Sequence, residues 1–104
     1  MTNWIEACST DDVDEEDLIS FIHDGRTFAI YHGPDGKYYC TDGLCTHERV
    51  DLSSGLVMGF QIECPKHNAT FDYRTGQYKR APACENLRTY PVKVEGGSVL
   101  VDID

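Results

Sequence analysis

Two thiols and two imidazoles stand closely paired in this chain: Cys45-x-His47, then sixteen residues, then Cys64-x-x-His67. Each pair supplies one sulfur and one nitrogen from a short segment with no helical spacing. That alternation suits a two-iron, two-sulfide cluster in which the cysteines hold one iron and the histidines the other. A structural zinc ion is the competing use of two Cys and two His. Zinc sites, however, group their ligands as Cys-x2–4-Cys followed by His-x3–5-His, and Cys-x-His is tight for two ligands of one tetrahedral ion. The two uses differ in what they do: one iron pair accepts an electron, and one zinc ion only pins loops.

The two segments, Cys45-Thr46-His47 and Cys64-Pro65-Lys66-His67, resemble the paired ligand boxes of Rieske proteins. Trp4-Ile5-Glu6, Phe71-Asp72, Thr75-Gly76 and Leu87-x-x-Tyr90-Pro91-Val92 extend the likeness over nearly the whole chain. In size and flanking residues it resembles the small Rieske ferredoxins of bacterial aromatic-ring-hydroxylating dioxygenase systems. The resemblance implies an all-β fold of short antiparallel strands, with a small cluster-binding lobe formed by two loops. It further implies one [2Fe–2S] cluster on Cys45, His47, Cys64 and His67, with the two imidazoles at the lobe's tip as the points where an electron arrives and leaves. The implied function is that of a one-electron carrier, not an enzyme. It would take electrons from a flavin-dependent NAD(P)H ferredoxin reductase and pass them to a terminal non-haem iron oxygenase in aromatic compound catabolism, through transient contacts.

Within that resemblance, Val50 and Lys66 occupy the positions where respiratory Rieske proteins carry a loop-tying disulfide. Ala69 and Phe71 occupy those of a Ser and a Tyr that donate to the cluster. Fewer hydrogen bonds to sulfur leave the reduced cluster's extra charge less stabilised, so a potential near the bottom of the Rieske range, on the order of −150 mV, is expected. Glu48 and Asn68 stand where Gly is frequent in these ferredoxins. Glu48 either lowers the potential or is a solvated loop carboxylate; Asn68 tolerates a left-handed backbone.

The rest of the composition narrows the function. At 104 residues the chain is expected to be one domain, residues 1–104, with the cluster lobe at about 43–69. It has no apolar run near ~20 residues and no basic-apolar leader, which points to a cytoplasmic monomer off the membrane. The net charge of −9 excludes nucleic acid as a partner. Ten of the acids lie in residues 1–42, against Arg26 and Lys37 alone. Asp11 to Asp17 is therefore either a solvated face or a segment that steers the chain toward a basic partner. Assigning Cys45 and Cys64 to metal leaves Cys8, Cys40 and Cys84, which read as buried fillers in a reducing compartment. His23 and His32 read as surface or strand-edge residues. A zinc-stabilised interaction module, or a Rieske subunit of another oxidase, remain open alternatives.

Period-2 alternation and turn residues must position these loops. Strands are expected at Leu18–His23 and Arg26–Tyr31 across Asp24-Gly25, and at Lys37–Cys40 after Gly33-Pro34-Asp35-Gly36. Others follow at Leu56–Met58 and Gln61–Glu63 around Gly59, and at Thr70–Tyr73. A final hairpin joins Leu87–Glu95 to Ser98–Ile103 across Gly96-Gly97. Tyr38, Tyr39, Phe60, Phe71, Tyr73, Tyr78 and Tyr90 are read as core or sheet-face residues, and Pro65 and Pro82 as rigid loop positions.

Overall fold

Asp24 and Gly25 both take positive φ, 51° and 76°, the combination a two-residue type I′ hairpin turn requires. A computed structural model of the protein describes residues 4–46, 50–65, 69–80 and 85–103. Among the described residues eleven strands are defined: β1 Trp4–Ser9, β2 Asp17–His23, β3 Arg26–His32, β4 Tyr38–Asp42, β5 Leu56–Met58, β6 Gln61–Glu63, β7 Thr70–Asp72, β8 Tyr78–Arg80, β9 Thr89–Tyr90, β10 Val92–Glu95 and β11 Ser98–Asp102. All their pairings are antiparallel. They form three sheets, ordered β1-β11-β10, β2-β3-β4-β9 and β5-β6-β7-β8. The all-β expectation holds, and the only helical turns among the described residues are two 3-10 turns, Thr10–Asp12 and Leu52–Ser54.

The middle sheet is packed on both sides, and β3 shows why. Alternate side chains on a strand point to opposite faces. Phe28 and Ile30 enter a core shared with Cys40, Val99, Val101 and Ile103. Ala29 and Tyr31 enter a second core with Cys45, Leu52, Ile62, Cys64, Phe71 and Tyr73. A strand buried on both faces reads as a continuous apolar run, and Phe28-Ala29-Ile30-Tyr31 is that run. The sheet made by β5 to β8 is thus seated against β2 and β3, with Cys45 and Cys64 in the core between the layers.

One expected strand divides. Leu87–Glu95 was predicted as a single element; instead β9 pairs with β4 through Cys40↔Tyr90 and Thr41↔Thr89, and β10 pairs with β11. Pro91 sits at the break. It has no N–H to donate to a ladder, while its carbonyl accepts from Asp102 N at 3.0 Å, so the chain changes sheets there. β1 and β8 were not foreseen. β1 is bulged between Glu6 and Cys8, which breaks its alternation, and β8 is a polar three-residue edge strand.

The turn from β7 to β8 is built on Asp72. Its buried carboxylate accepts from Arg74 N at 2.9 Å, Arg74 Nε at 3.1 Å and Arg74 Nη2 at 2.8 Å. Those bonds hold the Asp72 carboxyl below the usual carboxylate range. A depressed folded-state pKa contributes stability that is complete above the unfolded value, near 3.9, and is lost as pH falls through the folded one. Asp72→Asn is therefore expected to cost about 1–2 kcal/mol at pH 7. Urea midpoints should show the gap from wild type closing below about pH 4; a gap that is constant with pH would rule out the carboxylate's charge as its source.

Candidate metal centre

Both cysteines of the proposed ligand set lie at the base of a loop closed by the same bond. Cys45 N donates to Val50 O at 2.8 Å, and Cys64 N donates to Ala69 O at 2.7 Å. Each loop therefore runs from a Cys to the fifth residue beyond it, with its His inside, at the second position in one loop and the third in the other. The second loop is the tip of the β6–β7 hairpin, whose last strand pair is Glu63↔Thr70. The first is the tip of a shorter ladder, the Leu44↔Asp51 bridge. Gly43 N donates to Thr27 O at 2.9 Å and Leu52 N donates to Gly43 O at 2.8 Å, which fasten that ladder to the start of β3. A Cβ at Gly43 would stand 2.9 Å from the Phe28 carbonyl carbon, so only glycine allows this approach.

Cys45 and Cys64 are each 1% exposed and share one core with Leu52, Ile62, Ala69 and Phe71. Two sulfurs enclosed by apolar side chains at the mouths of two matched loops fit a thiolate-ligated iron site, where low solvent access tunes the metal. Ala69 and Phe71 are wholly buried and bring no side-chain donor. His47 and His67 lie outside the described residues, as do Glu48, Lys66, Asn68, Pro82 and Cys84. Among the described residues no three or more of His, Cys, Asp and Glu gather to hold a metal ion.

The other cysteines and histidines lie away from the loops. Cys40 is buried in the core on the opposite face of β3, and desolvation, then the Asp42 charge, pushes its thiol up to about 12. Desolvation, with Asp12 and Glu6 adding to it, pushes the half-buried Cys8 thiol up to about 11. Both stay protonated at neutral pH and are poor ligands or nucleophiles. His23 lies 3.4 Å from the Asp24 carboxylate. His32 stacks on Tyr38 with centroids 4.3 Å apart, and its Nδ1 donates to Val13 O at 3.0 Å.

In the same core, Tyr31 and Tyr73 stack in parallel with centroids 4.4 Å apart. The Tyr31 hydroxyl bonds Thr41 Oγ1 at 2.9 Å, and the Tyr73 hydroxyl donates to Gly59 O at 2.6 Å. Beside the first loop, Thr46 Oγ1 donates to Glu85 O at 2.9 Å. Next to it, Arg26 Nη2 donates to the Tyr90 hydroxyl at 2.9 Å, which in turn donates to Asp42 Oδ1 at 2.5 Å. Tyr73 and Tyr90 were expected as core or sheet-face residues, whereas no local signal in the sequence marks Tyr31, Arg26 or Asp42.

The acidic segment lies elsewhere. Glu16 N donates to His32 O at 2.7 Å, and Tyr38 donates to Thr10 O at 3.1 Å. The segment is therefore fixed at the end of β3, while the first ligand loop is fixed at its beginning. The two points of attachment, Thr27 and His32, are five residue steps apart along β3, about 17 Å, so Asp11 to Asp17 lies at the other end of that strand from the base of the first loop.

No helix among the described residues is long and apolar enough to cross a membrane. The family model for the Rieske [2Fe-2S] domain matches residues 3–91. The ferredoxin component of a naphthalene 1,2-dioxygenase system from Pseudomonas putida is 41% identical over 100 residues, covering 96% of this chain and 95% of that protein. The Sphingomonas yanoikuyae B1 ferredoxin superposes with a TM-score of 0.91 at 34% identity, over 98% of this chain and all of the other. A chain in the complex of reduced oxygenase and oxidized ferredoxin of carbazole 1,9a-dioxygenase superposes at 0.90 with 30% identity, over 98% and 94% of the two.

Proposed function

The chain belongs to the Rieske [2Fe–2S] domain family, and from that premise we propose that it is the ferredoxin component of an aromatic-ring dioxygenase system. It carries one Rieske-type [2Fe–2S] cluster, which when bound supplies reversible uptake of a single electron. The ligands proposed are Cys45 and Cys64 on one iron and His47 and His67 on the other. The observation that carries this assignment is the matched pair of loops, each closed from a buried Cys to the fifth residue on.

This chain's own residues account for the rest. The Leu52, Ile62 and Phe71 side chains exclude water from the sulfur side. The electron donor in this reading is a flavin-dependent NAD(P)H reductase, and the acceptor is a terminal oxygenase. Curated relatives that are dioxygenase ferredoxin components, and a related ferredoxin seen in complex with its oxygenase, support the acceptor. The working form proposed is a cytoplasmic monomer of one domain, residues 1–104, with its cluster lobe at about 43–69. Redox encounters of this kind are small and transient.

The test is EPR of the dithionite-reduced protein with iron, sulfide and zinc analysis on the same sample. A rhombic signal of average g below the free-electron value is expected, with about two irons per chain and a potential on the order of −150 mV. The low potential follows from Ala69 and Phe71, which place no hydroxyl near the site. A potential well above zero would sink the reading of those two residues. One zinc and no signal would replace the electron carrier with a zinc-held module.

A further inference from the structure

Two opposite charges flank the base of the first ligand loop, one on each of the strands that fasten it. Asp42 ends β4, three residues before Cys45, and Arg26 begins β3, next to Thr27. The bond from Gly43 N to Thr27 O at 2.9 Å joins those two strand ends. The charges meet through Tyr90 and not through each other. Arg26 Nη2 donates to the Tyr90 hydroxyl at 2.9 Å, and that hydroxyl donates to Asp42 Oδ1 at 2.5 Å. Among the described residues no ion pair joins Arg26 to Asp42. All three line one groove with Leu44, Cys45 and Thr46, so both charges stand beside the segment that carries a proposed iron ligand.

Both charges are held in place. Tyr90 is 6% exposed, and burial, then the Asp42 hydrogen bond, pushes its hydroxyl up to about 12, so it stays a donor at neutral pH. The Asp42 backbone pairs with Phe28 in β3, and its N donates to Arg88 O at 2.9 Å. The Arg26 guanidinium is stacked 4.9 Å over the Phe28 ring. Three residue steps put Asp42 within about 10 Å of Cys45 along the chain. Asp42 is half-buried, where salt screens a charge much less than at the surface; Arg26 is exposed, so its effect is the smaller of the two. The other charges at this groove, Glu85 and Arg88, are exposed as well. A fixed anion beside a site that gains an electron opposes the gain, and a fixed cation favours it.

We propose that Asp42 and Arg26, spaced by Tyr90, form an opposed charge pair that tunes the potential of the cluster Cys45 helps to hold. Asp42 holds the potential down and Arg26 holds it up. The proposal rests on the electron-carrier reading and adds a second determinant to the missing hydroxyls at Ala69 and Phe71. Neither side chain is an iron ligand; each acts through the field it places at Cys45, and Tyr90 fixes where that field originates.

The experiment is a redox titration of the cluster-loaded protein followed by EPR, at neutral pH and low salt. It compares wild type, Asp42→Asn, Arg26→Gln, Arg26→Lys and the double variant Asp42→Asn with Arg26→Gln. Asp14→Asn, in the acidic segment at the other end of β3, is the remote control. Asn keeps the shape of Asp, and its oxygen still accepts from Tyr90. A unit charge at about 10 Å in an effective dielectric of about 20–40 alters a one-electron equilibrium about fivefold to tenfold. Asp42→Asn is expected to favour reduction about fivefold, a rise of about 40 mV at 59 mV per decade. Arg26→Gln should disfavour it about threefold, a fall of about 30 mV. Arg26→Lys, the double variant and Asp14→Asn should all lie close to wild type. A merely structural role gives no reason for opposite signs. Each single variant tests its sign alone, so loss of the cluster in one leaves the other decisive. Shifts of the same sign in both, no shift in either, or an equal shift in Asp14→Asn overturn the proposal. A wild-type protein with one zinc and no EPR signal overturns the carrier reading instead.

Discussion

Cys64→Ser yields a colourless chain that binds no intact cluster and carries no electron, while Cys40→Ala keeps both; this is the expected result of exchanging one buried thiol at a time. The two cysteines look alike in type and burial, each 1% exposed. They differ in surroundings. Cys64 sits where β6 enters a closed loop, in the same core as Cys45. Cys40 faces the other core, with its Sγ 3.8 Å from Thr41 O, and its thiol is raised to about 12. A serine hydroxyl does not ionise near neutral pH and offers a hard oxygen to a metal that prefers soft sulfur. Losing the first-iron ligand should therefore remove the metal altogether. Because the cluster joins two loops that are otherwise separate in sequence, its loss should also lower the melting temperature. Cys40→Ala costs about 1–2 kcal/mol of packing with iron content and EPR unchanged. The measurement is iron and sulfide per chain beside the EPR spectrum. Iron retained in Cys64→Ser and lost in Cys40→Ala would reverse the assignment.

What the residues disclosed in advance depended on how local the cause was. The Asp24-Gly25 hairpin and the β5–β6 hairpin around Gly59 were legible because a turn's dihedral demands fall on the turn residues themselves. The loop bases were legible because both ligand pairs are short and contiguous. Pro91 was read within a strand, although the missing N–H that ends one ladder and starts another is a property of that residue alone; which sheet each half joins depends on β4 and β11, far off in sequence. Tyr31 was passed over because an apolar run such as Phe28–Tyr31 does not say which of its members face which core. The Arg26–Tyr90–Asp42 chain joins three separate strands, with partners up to 64 positions apart, and no local signal marks it. The acidic segment shows the converse limit: its charge was plain, but only the Glu16–His32 and Tyr38–Thr10 bonds reveal that it lies at the end away from the ligand loops.

Gly76→Ala is expected to cost on the order of 3–5 kcal/mol. Gly76 takes φ +79°, and a Cβ there would stand 2.0 Å from Leu87 O and 2.9 Å from Leu87 C. Those are backbone atoms, and they cannot step aside. Leu87 N donates to Gly76 O at 2.7 Å, and Gly76 N donates to Asp72 O at 2.7 Å. Moving Leu87 away breaks the first bond and loosens the β7–β8 turn that makes the second. Gly59 and Gly25 separate the two components of the cost. Both have positive φ, yet a Cβ at either meets nothing within 4 Å, so Gly59→Ala or Gly25→Ala should cost only about 1–2 kcal/mol of backbone strain. The excess at Gly76 measures the close approach alone. Because stability totals about 5–15 kcal/mol for a small domain, Gly76→Ala should remove a large share of it and lower the urea midpoint well below that of Gly59→Ala. The site feels this too, since Leu87 lies two residues beyond Glu85, whose carbonyl holds Thr46 in the first ligand loop. A folded remnant should therefore show broadened EPR features that Gly59→Ala does not. Equal urea midpoints for Gly76→Ala and Gly59→Ala would mean that the returning chain does not press on the β7–β8 turn, and the tie between that turn and the ligand loop would fall with it.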